Sequence, residues 1–245
     1  MKQDLASQPA QAAAVQPLFL TGMDGRQYKL QINPQGIPEA VCTVPKKSLY
    51  IGNSLLLGMG NYGMCASDAK KDWFSYIAEA ILEKEPAAVF DRIHIGKAEQ
   101  ADSPQDMQQW FEENRSHFLP DLNLILLQIG DNVTTPERKA VWDAGLSDLF
   151  GRIVSQCPHA RIILMFGWYN EALCGPALER CAAERGFETV PIRDLHTQEN
   201  EGFSGQQYRL PDGTLAPVKE NWISHPGDRG MEQIAQRLLQ VLRLT

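Results

Sequence analysis

The stretch LYIGNSLLLGMGNYGMCAS, Leu49 to Ser67, carries the residue types for two unrelated chemistries. Gly58, Gly60 and Gly63 spell G-x-G-x-x-G, the spacing that lets a backbone cradle a dinucleotide phosphate. Gly52-Asn53-Ser54 instead places a hydroxyl directly after an apolar run, where it would face a cleft. The phosphate reading requires the first glycine in the turn just after the strand, and an acidic residue about 20 positions on. Here the strand ends near Ile51, well before Gly58, and Asp91 falls inside the second strand rather than at its tip. The fingerprint is out of register, so no nucleotide cofactor is expected.

Ser54 alone proves nothing, because a serine after a strand is commonly a turn former or a helix cap. Two other groups raise its interest. Gly130-Asp131-Asn132 follows the most apolar strand of the chain, either as a tight turn or as a way to aim the Asn132 amide into the same cleft. His225-Pro226-Gly227-Asp228 precedes the last helix. Asp228 has a ready structural task there as an N-cap. His225 has none.

The elements that would position these groups alternate regularly. SLYIG, AAVFDRIHI, NLILLQIG, ARIILMFG and ETVPI read as buried strands. Helices are predicted from Ser67 or Asp68 to about Glu83, Pro104 to His117, Pro136 to Gln156, Pro176 to Arg185 and Arg229 to Leu242. Trp73, Trp110 and Trp142 fall at helical positions and read as core. Such alternation implies an α/β fold: a three-layer α/β/α sandwich around a five-stranded, mostly parallel, flavodoxin-like sheet. Ligands of such folds bind beyond the carboxyl ends of the strands, where Ser54, Asn132, Trp168 and Tyr169 fall. Trp168 and Tyr169 are equally readable as pocket lining and as core.

Residues 1–16 are rich in Ala and Gln and read as a disordered tail. Residues 17–46 read as a β-hairpin turning at Asp24-Gly25, followed by a proline-rich connection, and residues 47–245 as the main domain.

In chain order, GNS, NYG, GDN and HPGDRGM resemble the four blocks of the SGNH/GDSL hydrolases, with GNS in place of the commoner GDS. The resemblance spans Gly52 to Met231. It implies a metal-free serine ester hydrolase in which Ser54 is the nucleophile and His225 the general base. It also implies an oxyanion hole built from the Ser54 N–H, the Gly63 N–H and the Asn132 side-chain amide. That assignment is chemically coherent, since a serine hydroxyl needs a base and the tetrahedral intermediate needs fixed donors. The implied substrate is a small ester, an O-acetyl or short acyl group on a saccharide. Longer acyl chains (lipase or thioesterase activity) are an alternative, as is an inactive module that binds a carbohydrate or protein partner.

One departure stands out. Many members of the family carry an Asp three residues before the histidine, and this chain has Trp222 there. The histidine must then be oriented by a main-chain carbonyl near Trp222, or by a displaced carboxylate: Asp212, Glu220 or Asp228.

A net charge of −7 argues against general binding to nucleic acid or anionic membranes. No apolar run approaches the roughly 18–20 residues of a membrane span. The N-terminus lacks the apolar stretch of an intact signal peptide, which points by default to the cytoplasm, while a mature secreted or periplasmic form also fits. The five cysteines (Cys42, Cys65, Cys157, Cys174 and Cys181) have no C-x-x-C spacing and read as reduced, buried thiols. Cys65 reads as packing rather than as a nucleophile. His94, His117, His159 and His196 share no metal-ligand spacing with carboxylates or thiols. Oligomeric state is not legible.

Overall fold

The computed structural model describes residues 18–21, 23, 27–32, 36–58 and 61–244. The expected N-terminal tail, the Asp24-Gly25 turn and Gly60 lie outside the described residues. The chain divides into two compact units, Met1–Thr43 and Val44–Thr245.

The first unit holds β1 (Phe19–Thr21), β2 (Gln27–Ile32) and β3 (Pro38–Cys42), an antiparallel sheet in the order β1-β2-β3. The prolines of the β3 segment point to a connection. Pro38 in fact opens an edge strand, a position where a missing N–H breaks no ladder.

The second unit contains a five-stranded parallel sheet: β4 (Lys47–Gly52), β5 (Val89–His94), β6 (Leu124–Gln128), β7 (Arg161–Phe166) and β8 (Glu188–Pro191). Its order is β5-β4-β6-β7-β8, the flavodoxin-like arrangement. Continuous apolar runs form the central strands because both of their faces are covered, whereas edge strands β5 and β8 have exposed positions. Leu49 and Ile51 pack with Ile125, Leu127, Trp110, Trp142 and Phe150 in the main core. Tyr50, pointing the other way, meets Phe74 edge-on at 4.8 Å.

The helices are α1 (Trp73–Lys84), the single turn α2 (Gly96–Glu99), α3 (Pro104–Glu113), α4 (Pro136–Gln156), α5 (Glu171–Arg185) and α6 (Asp228–Leu242). Helix α1 packs on α6, and α3, α4 and α5 pack in succession. Their starts follow capping chemistry. Asp68 caps a short 3-10 turn, Ala69–Lys71, and Asp72 caps α1. Ser103 and Thr135 cap α3 and α4, each followed by proline at the first helical position. Four expectations are corrected. The first helix, expected from Ser67 or Asp68, begins at Trp73 after the separate 3-10 turn. Helix α3 stops at Glu113, after which Arg115–His117 form a 3-10 turn. Helix α5 begins at Glu171, so Pro176 lies inside it instead of starting it. The cap of α6 is Gly227, which frees the Asp228 carboxylate for other partners.

Between β8 and α6 the sequence suggested only a long loop. The structure folds part of it into a hairpin, β9 (Gln207–Arg209) with β10 (Leu215–Pro217). The hairpin is tied to the glycine-rich segment: Arg209 N–H donates to Ser67 O, Tyr62 Oη to Arg209 O, and Gln206 Nε2 to Cys65 O.

Candidate active site

From β4 the chain crosses to β5 on one side and then returns to β6 on the other, so the order reverses between β4 and β6. The carboxyl ends of strands flanking such a reversal diverge and leave a crevice. Ser54 follows β4, and the Gly130-Asp131-Asn132 turn follows β6. The turn carrying Ser54 is tight: the N–H groups of Leu56 and Leu57 both donate to Asn53 O. A Cβ on Gly52 would come within 2.6 Å of Leu56 Cβ, so only glycine lets the strand enter this turn.

The structure brings Ser54 and His225 together across 171 positions of sequence, with Ser54 Oγ 2.9 Å from His225 Nε2. His225 Nδ1 lies 2.8 Å from Trp222 O, at the end of the 3-10 turn Glu220–Trp222. A carbonyl oxygen only accepts, so Nδ1 carries the proton and Nε2 presents its lone pair to the serine hydroxyl. The His225 backbone is fixed too: its N–H donates to Trp222 O, and its carbonyl accepts from Gly202 N–H. Burial lowers the proton affinity of the His225 ring, the Trp222 carbonyl opposes this, and His196 lowers it further.

The three displaced carboxylates all have other partners. Asp212 accepts from Thr214 N–H and Oγ1 in the β9–β10 turn. Glu220 accepts from Ser204 Oγ. Asp228 accepts from Ser67 N–H and Oγ and from Lys71 Nζ. None of the three hydrogen-bonds His225.

The Gly63 N–H has a different orientation from the one the resemblance implies. It donates to Asp72 Oδ2 at 3.2 Å, while Asp72 Oδ1 caps α1 through Ser75 N–H. Burial raises the proton affinity of Asp72, and the hydrogen bonds from Ser75 and Gly63 oppose that rise. Gly63 is needed here for close packing: a Cβ would lie 2.5 Å from Met231 Cε and 2.7 Å from Leu55 O. The Ser54 N–H, by contrast, has no hydrogen-bond partner among the described residues.

Asn132 Nδ2 donates to Glu99 Oε2 at 2.7 Å, which leaves its second N–H free of that bond. Glu99 is fully buried and also accepts from Gly130 N–H at 2.6 Å and from Asn53 Nδ2 at 3.1 Å. Gln128 Oε1 accepts from Asn53 N–H, and Gln128 Nε2 donates to Asp131 Oδ2. Asp131 Oδ1 accepts from Tyr169 N–H. Burial, reinforced by Glu99, holds the Asp131 carboxyl well above its ordinary range. Local sequence pattern does not announce this network. Gln128, a polar residue inside LILLQIG, was its one visible signal. Glu99 gave none.

Trp168 is fully buried, so it is core and not pocket lining. It stacks on His196 at 4.9 Å and donates to Ser224 O. Tyr169 is only partly buried and meets the His225 ring edge-on at 5.5 Å. The Cys65 thiol donates to Trp222 O, and burial pushes its pKa up to about 12, so it stays a protonated thiol. Among the described residues, no group of His, Cys, Asp and Glu could hold a metal ion, and no helix is long and apolar enough to cross a membrane.

Solved structures share this architecture at low identity. Over 80% of this chain and 99% of its own, phospholipase A1 from Streptomyces albidoflavus NA297 superposes with a TM-score of 0.54 at 13% identity. The domain has the SGNH/GDSL hydrolase fold. An acetyl xylan esterase from the rumen bacterium Butyrivibrio proteoclasticus gives a TM-score of 0.51 at 16% identity, over 85% of this chain and 66% of that one. A family two carbohydrate esterase from Clostridium thermocellum, solved with cellohexaose, gives 0.51 at 17% identity, over 82% and 65%. This SGNH-fold chain thus spans about two thirds of those two carbohydrate esterases. No family model matches it, and no curated protein matches it in sequence.

Proposed function

We propose that this protein is a serine ester hydrolase working through a Ser54–His225 dyad. The observation that carries this reading is the chain of contacts from Ser54 Oγ to His225 Nε2, 2.9 Å, and from His225 Nδ1 to Trp222 O, 2.8 Å. His225 Nε2 takes the Ser54 proton as Oγ attacks the ester carbonyl carbon. The tetrahedral oxyanion is held by the Ser54 N–H and the Asn132 amide. Nε2 then gives its proton to the departing alcohol oxygen, leaving an acyl-Ser54 ester. Water, deprotonated by the same nitrogen, attacks that ester and releases the acid and free Ser54. Gly63 is not assigned to the oxyanion hole, because its N–H already serves Asp72.

The substrate favoured is a short acyl ester, such as an O-acetyl group, on a saccharide. Two solved structures of this fold are described as an acetyl xylan esterase and a carbohydrate esterase bound to cellohexaose. Partly buried Tyr169 meets the histidine ring edge-on and supplies aromatic surface of the kind sugar rings pack on.

The test is hydrolysis of p-nitrophenyl acetate, and of acetylated xylan oligosaccharides, by the wild type and Ser54→Ala. Turnover that depends on Ser54, with covalent labelling of Ser54 by a fluorophosphonate, is expected. Absence of both would replace the enzyme with a binding module. A preference for p-nitrophenyl decanoate over acetate would move the substrate to longer acyl chains.

A further inference from the structure

We propose that Glu99 is a positioning residue of the active site, aiming the Asn132 amide at the oxyanion and anchoring the nucleophile turn from below. The proposal rests on the reading of Ser54 as nucleophile and Asn132 as oxyanion donor.

Glu99 closes the single-turn α2, which follows β5 and precedes Asn132 by 33 positions, and is 1% exposed. A carboxylate this deep needs a reason, since desolvating it is costly unless donors surround it. The groups hydrogen-bonded to it are all donors. Gly130 N–H reaches Oε1 at 2.6 Å, Asn132 Nδ2 reaches Oε2 at 2.7 Å, and Asn53 Nδ2 bridges both oxygens at 3.1 and 3.3 Å. No Lys or Arg pairs with it among the described residues, so it is not half of a structural salt bridge.

The three donors come from the two turns that flank the sheet reversal. Asn53 immediately precedes the nucleophile. Gly130 opens the turn that ends in Asn132, and its φ of +105° puts that turn in a conformation few residues adopt. One carboxylate therefore fixes the spacing between the nucleophile turn and the oxyanion turn. It also settles the orientation of the Asn132 side chain: an acceptor-only partner holds Nδ2, so Nδ2 and not Oδ1 stands on the Glu99 side, and its other N–H is directed by the same geometry. A glutamine at 99 would be nearly isosteric but would bring an NH₂ group against at least one of these donors.

The experiment is a double-mutant cycle on the intact protein using p-nitrophenyl acetate: Glu99→Gln, Asn132→Ala and the combination. Loss of an oxyanion donor lowers kcat by about 10²–10³-fold, and Glu99→Gln should approach that loss while KM changes less than about threefold. The double variant should be no worse than Asn132→Ala alone within about threefold, because both changes remove one function. Glu99→Asp, which keeps the carboxylate, should recover part of kcat. Losses that multiply in the double variant, or a Glu99→Gln enzyme with wild-type kcat, would overturn the proposal.

Should Glu99→Gln not fold, the wild type decides by nitrogen-15 NMR, its Asn132 side-chain signal assigned by loss in Asn132→Ala. One slowly exchanging Nδ2 proton supports the contact with Glu99; two rapidly exchanging protons overturn it. Failure of the underlying reading is distinct, since a wild type without Ser54-dependent turnover would show it before any Glu99 variant is made.

Discussion

His225 Nδ1 donates to the main-chain carbonyl of Trp222, three residues earlier in the chain, at 2.8 Å. A carbonyl performs two of the tasks a triad carboxylate performs: it fixes the tautomer and it fixes the ring plane. It lacks the full negative charge that stabilises an imidazolium. The same oxygen also accepts from Cys65 Sγ and from His225 N–H, which pins it in place.

This arrangement predicts that no carboxylate is needed beside the histidine. Removing a working triad acid costs roughly 10⁴-fold in turnover, whereas Asp212→Ala, Glu220→Ala and Asp228→Ala should each stay within about tenfold of wild-type kcat. Steady-state kinetics on the three folded variants checks this. A collapse in any one would transfer the orienting task to that residue.

The pH profile follows from the burial of His225. The base must be neutral to accept the Ser54 proton, and burial lowers its pKa. Activity should therefore rise with pH through an inflection below about 6.5, the ordinary value for histidine, and then level off. The measurement is kcat/KM across pH 4 to 9 on an ester stable over that range. An inflection above the ordinary histidine value would mean that a negative charge faces the ring in solution.

Asn132→Ala should lower kcat by about 10²–10³-fold with little change in KM, the signature of a donor used chiefly in the transition state. A change in KM alone would make Asn132 a substrate-binding group instead.

Asp72 should matter to stability more than to chemistry. It caps α1 through Ser75 and satisfies the buried Gly63 N–H. Asp72→Ala should cost about 1–3 kcal/mol, combining a lost cap with an unsatisfied amide. Urea unfolding measures this. Unchanged stability would mean the Gly63 N–H is not held by Asp72, which would return that amide to the oxyanion hole.

Much of this protein is written in local pattern. Alternating apolar strands and amphipathic helices determined the parallel sheet, because strands buried on both faces leave uninterrupted apolar runs such as LILLQ and RIILMF. Residue type together with position at strand ends made Ser54 and Asn132 candidates, since ligands meet such sheets at the carboxyl edge, and a histidine without a structural task before the last helix made His225 one. Pro38 and Pro176 depart from local pattern, because a strand edge and a helix interior both tolerate a residue that local rules treat as a break.

Only the tertiary structure decided where protons and donors go. Which group faces His225 Nδ1 depends on a 3-10 turn closing Glu220–Trp222, and main-chain carbonyls carry no residue code. The partner of the Gly63 N–H depends on Asp72, nine residues on, folding back to cap α1. Glu99 reaches Asn132 across 33 positions because the sheet order reverses between β4 and β6. Hydrogen bonds are directional and short-ranged, so their pairing is fixed only once the chain has brought distant turns within about 3 Å of one another.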